Sequence, residues 1–273
     1  MIIDGHQHIE AGHAEILARM DALGIDRTVL IGVGVRDLSV ITIRDSPVFR
    51  HDLLLRTIGH WSARRLLGSE LLKSVLMPQP NNDRVLAAMR AEPDRFYGFA
   101  FINPRYEHYM DELTRCLDAG MHGIKLALPQ YPADLSGERI FALCEVAKAR
   151  NVPVFFHQGL TPESSDAAAM VKAFPSVTFI VAHAGAHYFR EALQLAAAHD
   201  NVFVDTSSYF VTVSKLRRLC RKIGPRRLIF GTDVPVMSRD PSEGLAKIRA
   251  LKLDPADEKC ILGDTLRTII EQH

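Results

Sequence analysis

Eight short runs of apolar and β-branched residues recur along the chain: Ile2–His6, Thr28–Gly32, Tyr97–Phe101, Gly123–Leu126, Val154–His157, Thr178–Ala182, Val202–Asp205 and Leu228–Phe230. Most are apolar at consecutive positions rather than at alternate ones, the pattern of parallel strands covered on both faces. Their centres lie about 23 to 31 residues apart, with one gap of about 70, and that spacing is the length of a strand–helix repeat. The intervening segments carry helical stripes: Ile16, Met20 and Leu23; Met110, Leu113 and Leu117; Leu216, Leu219 and Ile223. Gly24, Gly120 and Gly224 follow those stripes as helix stops. Pro153 and Pro225 stand at or just before strand starts, where a missing N–H is tolerated. Eight such units in 273 residues most simply close into a (β/α)8 barrel, an α/β fold, and no linker or low-complexity tract divides the expected domain, residues 1–273.

The long gap, about residues 35–79, follows the second strand. Insertions at the C-terminal ends of barrel strands shape the active site. This one reads as helical and holds Arg36, Arg44, His51, Arg56, His60 and Trp61, the only tryptophan. It is expected to be a lid or the contact of a homodimer, with plain packing as the equal alternative.

Hydrophobic residues make up 47% and charged residues 24%, with a formal net charge of +1, so no global field favours nucleic acid or an anionic membrane. No apolar run is long enough to cross a bilayer, and no basic or apolar leader precedes the first strand. Cys116, Cys144, Cys220 and Cys260 are scattered without a Cys-x-x-Cys pair, which argues against a thiolate metal site. The first three fall in helical patterns as small core residues, and a cytoplasmic, reducing setting is the simplest expectation.

Polar residues fall in register with the strand ends, where barrel enzymes carry their chemistry. The first strand ends in His6-Gln7-His8, whose imidazoles share one face of a strand. Alone, this pair means little, because a chain with 12 histidines in 273 residues holds about half of one such pair by chance. The fourth strand carries Lys125, the fifth ends in His157, the sixth in His183 and the eighth in Asp233. Ionisable groups behind apolar runs are costly unless paired or coordinated, so five at one barrel mouth form a site together. Taken singly, His157 or His183 reads as a satisfied cleft histidine, Lys125 as an ion-pair partner and Asp233 as a helix cap. Asp4 reads as a structural hydrogen-bonding partner. His13, His108, His122, His187, His199 and His273 fall outside the strand ends and read as surface or packing residues; His187 stands out because it lies just past the sixth strand.

From Asp4-Gly5-His6-Gln7-His8 to Phe230-Gly231-Thr232-Asp233-Val234-Pro235, the chain resembles the amidohydrolase superfamily of metal-dependent barrels. It is most similar to the amidohydrolase-related branch of small hydrolases, lactonases, hydratases and nonoxidative decarboxylases. The resemblance implies that His6, His8, His157 and Asp233 bind one divalent metal, with zinc first and manganese or iron as alternatives. It implies His183 as general acid/base, with Asp233 as a second proton acceptor. Lys125 matches the position where some members carry a carbamylated Lys bridging two metals. With one metal it is expected to stay an ammonium that contacts substrate or a nearby carboxylate.

Two reactions follow. One is hydrolysis of a small amide, lactone or other carboxyl derivative by metal-activated water, with Lys125 helping to stabilise the oxyanion. The other is decarboxylation or hydration of an aromatic or unsaturated carboxylate, held by arginine; Arg44, Arg56, Arg105 and Arg239 lie in candidate mouth segments. Asn103-Pro104, Asp205 and Ser207 could line the pocket, or merely cap loops. A non-catalytic binding barrel is the third and weakest reading, because every expected ligand is present.

Overall fold

The computed structural model describes residues 1–10, 12–41 and 50–271. Arg44 and His273 lie outside the described residues. The eight strands are β1 (Ile3–His8), β2 (Arg27–Ile31), β3 (Phe96–Phe101), β4 (Gly123–Ala127), β5 (Val154–His157), β6 (Phe179–Val181), β7 (Val202–Asp205) and β8 (Leu228–Ile229). All pair in parallel with their sequence neighbours in one sheet ordered β1 to β8. The ends meet: Gly5 N–H donates to Phe230 O at 2.8 Å, and Gln7 forms a parallel bridge with Val234. The result is a (β/α)8 barrel, as the strand spacing predicts.

The apolar runs are buried on both faces. Phe99, Phe155, Ile180 and Ile229 point into the barrel, while Ala100, Phe156, Val181 and Phe230 face the helices. Leu266, Ile269 and Ile270 of the last helix, Thr265–Ile270, pack on Ile3, Val29 and Tyr97 and close the end away from the strand C-termini. Gly24 and Gly120 take positive φ where their helices stop, the conformation a helix C-cap needs. All four cysteines are free, with Cys116 and Cys144 buried in helices. Among the described residues, no helix is long and apolar enough to cross a membrane.

The insertion leaves the barrel after β2 and returns beside itself. Val35 bridges Leu76, Arg36 N–H donates to Val75 O, and Met77 N–H donates to Gly34 O. Between them the described chain is largely helical: Asp52–Leu54 runs through a wide π-type turn at Leu55–Gly59 into His60–Leu67, followed by Glu70–Val75. Val33, Val35, Leu38, Ile41 and Leu72 form the apolar cluster that seats it on the mouth.

Candidate metal centre

Four histidines reach the mouth with one ring nitrogen already committed. His8 Nδ1 lies 2.9 Å from Gly32 O, and His157 Nδ1 lies 2.7 Å from Gln158 O. A carbonyl only accepts, so both Nδ1 atoms carry hydrogen and both Nε2 atoms present a lone pair. His6 Nδ1 lies 3.1 Å from both Asp205 Oδ2 and Ser207 Oγ. The Ser207 hydroxyl itself donates to Asp205 Oδ2, so Ser207 Oγ accepts from His183 Nδ1, 2.8 Å away. One assignment satisfies all four rings: hydrogen on Nδ1, lone pair on Nε2.

Three of those lone pairs converge on Asp233. His8 Nε2 is 3.3 Å and His6 Nε2 3.5 Å from Asp233 Oδ1, while His183 Nε2 is 3.5 Å from Asp233 Oδ2. Asp233 Oδ1 is buried and makes no hydrogen bond. Lone pairs facing a carboxylate oxygen repel it unless a cation or proton lies between them. The donor set of imidazole nitrogens and one carboxylate suits a divalent transition metal, so the residues fit the expected ion. His6, His8 and Asp233 form one group. His6, His183 and Asp205 form a second, but there Asp205 is already used in hydrogen bonds. His157 lines the same cavity, with its ring 4.9 Å from that of His183, and belongs to neither group.

Lys125 is buried, with its ammonium 3.1 Å from His6 Nε2 and 3.8 Å from the centre of the Phe155 ring. Burial pushes its pKa down to about 8. Burial, reinforced by neighbouring cationic groups, holds His6 and His183 well below the usual histidine range and His157 at about 3. Burial raises Asp233, against the opposing pull of His8 and Lys125. Asp4 ties β1 to β8 by accepting from Thr232 N, Thr232 Oγ1 and His6 N, the structural role expected of it.

His183 itself has φ 52°, and Ala184, Gly185 and Ala186 also have positive φ. Non-glycine residues avoid this region, and strain of this kind gathers at functional sites. Asp233 shares it, at φ 59°. Gly231 permits the close packing behind: a Cβ there would lie 2.4 Å from Asp205 Oδ1.

Asp205 and Ser207 do not line the cavity. They sit behind His6 and His183 and hold them, a role that Asp205, at the end of β7, shares in register with the other strand ends. Asn103 caps its loop, as the plainer reading has it, accepting from Arg105 N and donating to Pro78 O. Of the expected arginines, the three among the described residues are not at the mouth: Arg56 pairs with exposed Glu191, and Arg105 and Arg239 are exposed. His187, treated in the sequence as packing, is buried and lines the cavity. Its ring donates to Gly59 O of the insertion and stands 5.7 Å from the His60 ring.

The cavity opens to solvent and has about 120 Å³ of internal free volume. Its wall opposite the histidines is apolar: Ile41, Ala63, Leu66 and Leu67 from the insertion, with Phe210 and Met237. The insertion is thus a lid over the mouth in part, while Leu53, Ile58, Trp61 and Leu71 are exposed.

A search of curated proteins finds no match. Solved structures of the same fold include 2,6-dihydroxybenzoate decarboxylase from Rhizobium, at 17% identity and TM-score 0.67, covering 99% of this chain and 98% of that one. A dihydroxybenzoic acid decarboxylase from Polaromonas sp. JS666, with bound manganese and the inhibitor 2-nitroresorcinol, matches at 16% identity and TM-score 0.67 over 99% and 96%. A probable 2-pyrone-4,6-dicarboxylic acid hydrolase from Acinetobacter baumannii, with citric acid bound, matches at 15% identity and TM-score 0.68 over 98% of each chain. Residues 75–267 match the family profile described as amidohydrolase. With the barrel and the set of imidazoles and carboxylate at its mouth, that match leads to one conclusion: this chain belongs to the amidohydrolase family, whose members are metal-dependent enzymes.

Proposed function

We propose that the chain is a metal-dependent nonoxidative decarboxylase of a small aromatic or unsaturated monocarboxylate. His6, His8, His157 and Asp233 would hold one divalent ion, zinc first, with manganese and iron as alternatives. The observation that carries this reading is the cavity wall: beside the imidazoles, Asp233 and Gln130, the described lining holds one ammonium, Lys125, and no guanidinium, and the rest is apolar. A dicarboxylate would leave one charge without a partner there, whereas a single carboxylate has Lys125. The apolar wall favours loss of that charge as neutral CO₂ over its retention.

The bound ion would supply Lewis acidity toward a substrate oxygen. Lys125 orients the carboxylate, and the apolar wall stacks the ring and excludes water. His183 Nε2, after taking a proton from solvent and sharing it with Asp233 Oδ2, passes that proton to the ring carbon bearing the carboxylate. The bond to the carboxylate then breaks, its electron pair returns to the ring, and CO₂ leaves.

Hydrolysis of an amide, lactone or other carboxyl derivative is the second reading. It is favoured by the 3.5 Å approach of His183 Nε2 to Asp233 Oδ2, a pair suited to taking a proton from attacking water. The metal-replete protein should be given a panel of aromatic monocarboxylates and of matching esters, amides and lactones. CO₂ release without acid production supports decarboxylation, and acid production alone replaces it with hydrolysis. Close to one metal per chain is expected; two would point to a carbamylated, bridging Lys125. A homodimer through the exposed Trp61 face belongs to the same proposal, and a monomeric mass in solution would remove it.

A further inference from the structure

The loop after β7 is tied down from behind by a lysine that does not line the catalytic cavity. Lys247 belongs to the helix Pro241–Arg249, which follows β8. Its stem is partly exposed, but its ammonium turns inward, donating to Thr206 O at 3.2 Å and Ser208 O at 2.8 Å. This reverses the usual arrangement, in which a lysine hides its stem and keeps its charge in water. The two carbonyls flank Ser207, whose hydroxyl stands between Asp205, His6 and His183. Ser208 has φ 74°, a conformation its own sequence does not favour, and the Lys247 contact holds its carbonyl there.

The peptide group ending in Thr206 O begins the next residue with Ser207 N–H, and that N–H donates to Asp205 Oδ1 at 3.0 Å. An ammonium on the carbonyl end polarises the N–H end, so the bond to Asp205 strengthens. Asp205 then accepts from His6 Nδ1 and from the His183 backbone N–H through Oδ2. The chain from Lys247 to the His6 ring thus crosses one peptide group and one carboxylate.

We propose that Lys247 is a positioning residue for the metal centre: through the Thr206–Ser207 peptide and Asp205, it keeps the hydrogen on Nδ1 of His6 and His183 and their Nε2 lone pairs on the mouth. The groups facing its ammonium include Asp205 and Glu243 with opposite charge and Arg50 with like charge. The proposal rests on the metal-centre reading above, but its test does not depend on substrate.

Zn²⁺ affinity of the full chain is measured by competition with a chromophoric chelator, and histidine tautomers of the metal-free protein by ¹⁵N NMR. Outer partners of metal ligands are worth 10- to 100-fold in affinity. Asp205→Asn is expected to weaken Zn²⁺ binding within that range, Lys247→Met by about tenfold, and the double variant no more than Asp205→Asn alone, because both act on one path. In Lys247→Met, His6 is expected to populate both tautomers. Affinity within twofold of the parent, or effects of the two substitutions that multiply, overturns the proposal. If Lys247→Met does not fold, Lys247→Arg, which keeps charge without the compact ammonium, enters the same cycle with the same criterion. A parent protein that binds no Zn²⁺ breaks the metal-centre reading, and the His6 tautomer in Lys247→Met then decides the role of Lys247 by itself.

Discussion

His6, His183 and Asp233 on one side of the mouth are 1%, 4% and 1% exposed; the two rings are held by Asp205 and Ser207, and Asp233 by its backbone N–H, which donates to His6 O. Across the cavity, Ala63, Leu66 and Leu67 lie on a helix without one fully buried residue and face the cavity with apolar groups only. The polar side is built from directed interactions, in which a shift of a few tenths of an ångström breaks a bond. The apolar side is built from non-directional ones, which tolerate exchange of one side chain for another of similar volume. In the proposed function, reaction and selection rest on different physics: the strand ends would set where metal and proton sit, and the insertion would set what fits beside them.

Substitutions can break that division, and the largest effect belongs to the polar side. His6→Ala and Asp233→Ala should each reduce metal content from close to one per chain to almost none, by elemental analysis of protein purified without chelator. Metal retained at parental level in both would move the centre elsewhere. Next comes His183→Asn, which should cut turnover by about 10³-fold, within the range for general acid/base groups, while metal stays bound. Full activity in this variant would remove His183 from the chemistry.

The seam between the two sides gives an intermediate effect. Burial, followed by the repulsion of His60, holds His187 at about 4, below the ordinary 6.5. The folded protein keeps this ring neutral while the unfolded chain binds a proton below pH 6.5, so stability is present above that pH and is lost as pH falls toward 4. The loss for this one group is at most about 3 kcal/mol. His187→Asn should flatten the pH dependence of urea unfolding between those limits; an unchanged slope would mean that the lid is not joined through this ring. The smallest effect belongs to the apolar wall: Leu66→Ala should raise KM about tenfold and leave kcat within twofold, because partly exposed packing is removed and no reacting group moves. A fall in kcat with KM unchanged would show that the wall takes part in the reaction.

Much of the barrel is legible in sequence because its evidence is local. Parallel strands between helix layers must be apolar on both faces, so eight runs announce eight strands, and the observed boundaries differ from the expected ones by one or two residues: β1 extends to His8 and β8 stops at Ile229. The strand ends His6, His8, Lys125, His157, His183 and Asp233 stand out because each follows such a run, and all six line one cavity. The roles of Asp205 and Ser207 could not be read this way. An aspartate and a serine after a strand are also ordinary loop residues, and their partners lie 199 and 24 positions away. Arg56, Arg105 and Arg239, expected at the mouth, lie away from it for a related reason: a loop's place in the chain does not say where its side chains point. The left-handed run from His183 to Ala186 leaves almost no trace either, since only Gly185 in it favours positive φ.

By itself, the sequence determined the number of strands, their order and which ionisable residues stand at their ends, because burial on two faces and helical periodicity are written over a few consecutive residues. Only the tertiary structure decided which ring nitrogen each histidine presents, that Lys247 anchors the loop behind Ser207, and that the insertion turns Leu66 inward and Trp61 outward. Those outcomes depend on groups brought together by closure of the barrel, and no local pattern encodes a partner that lies two hundred residues away.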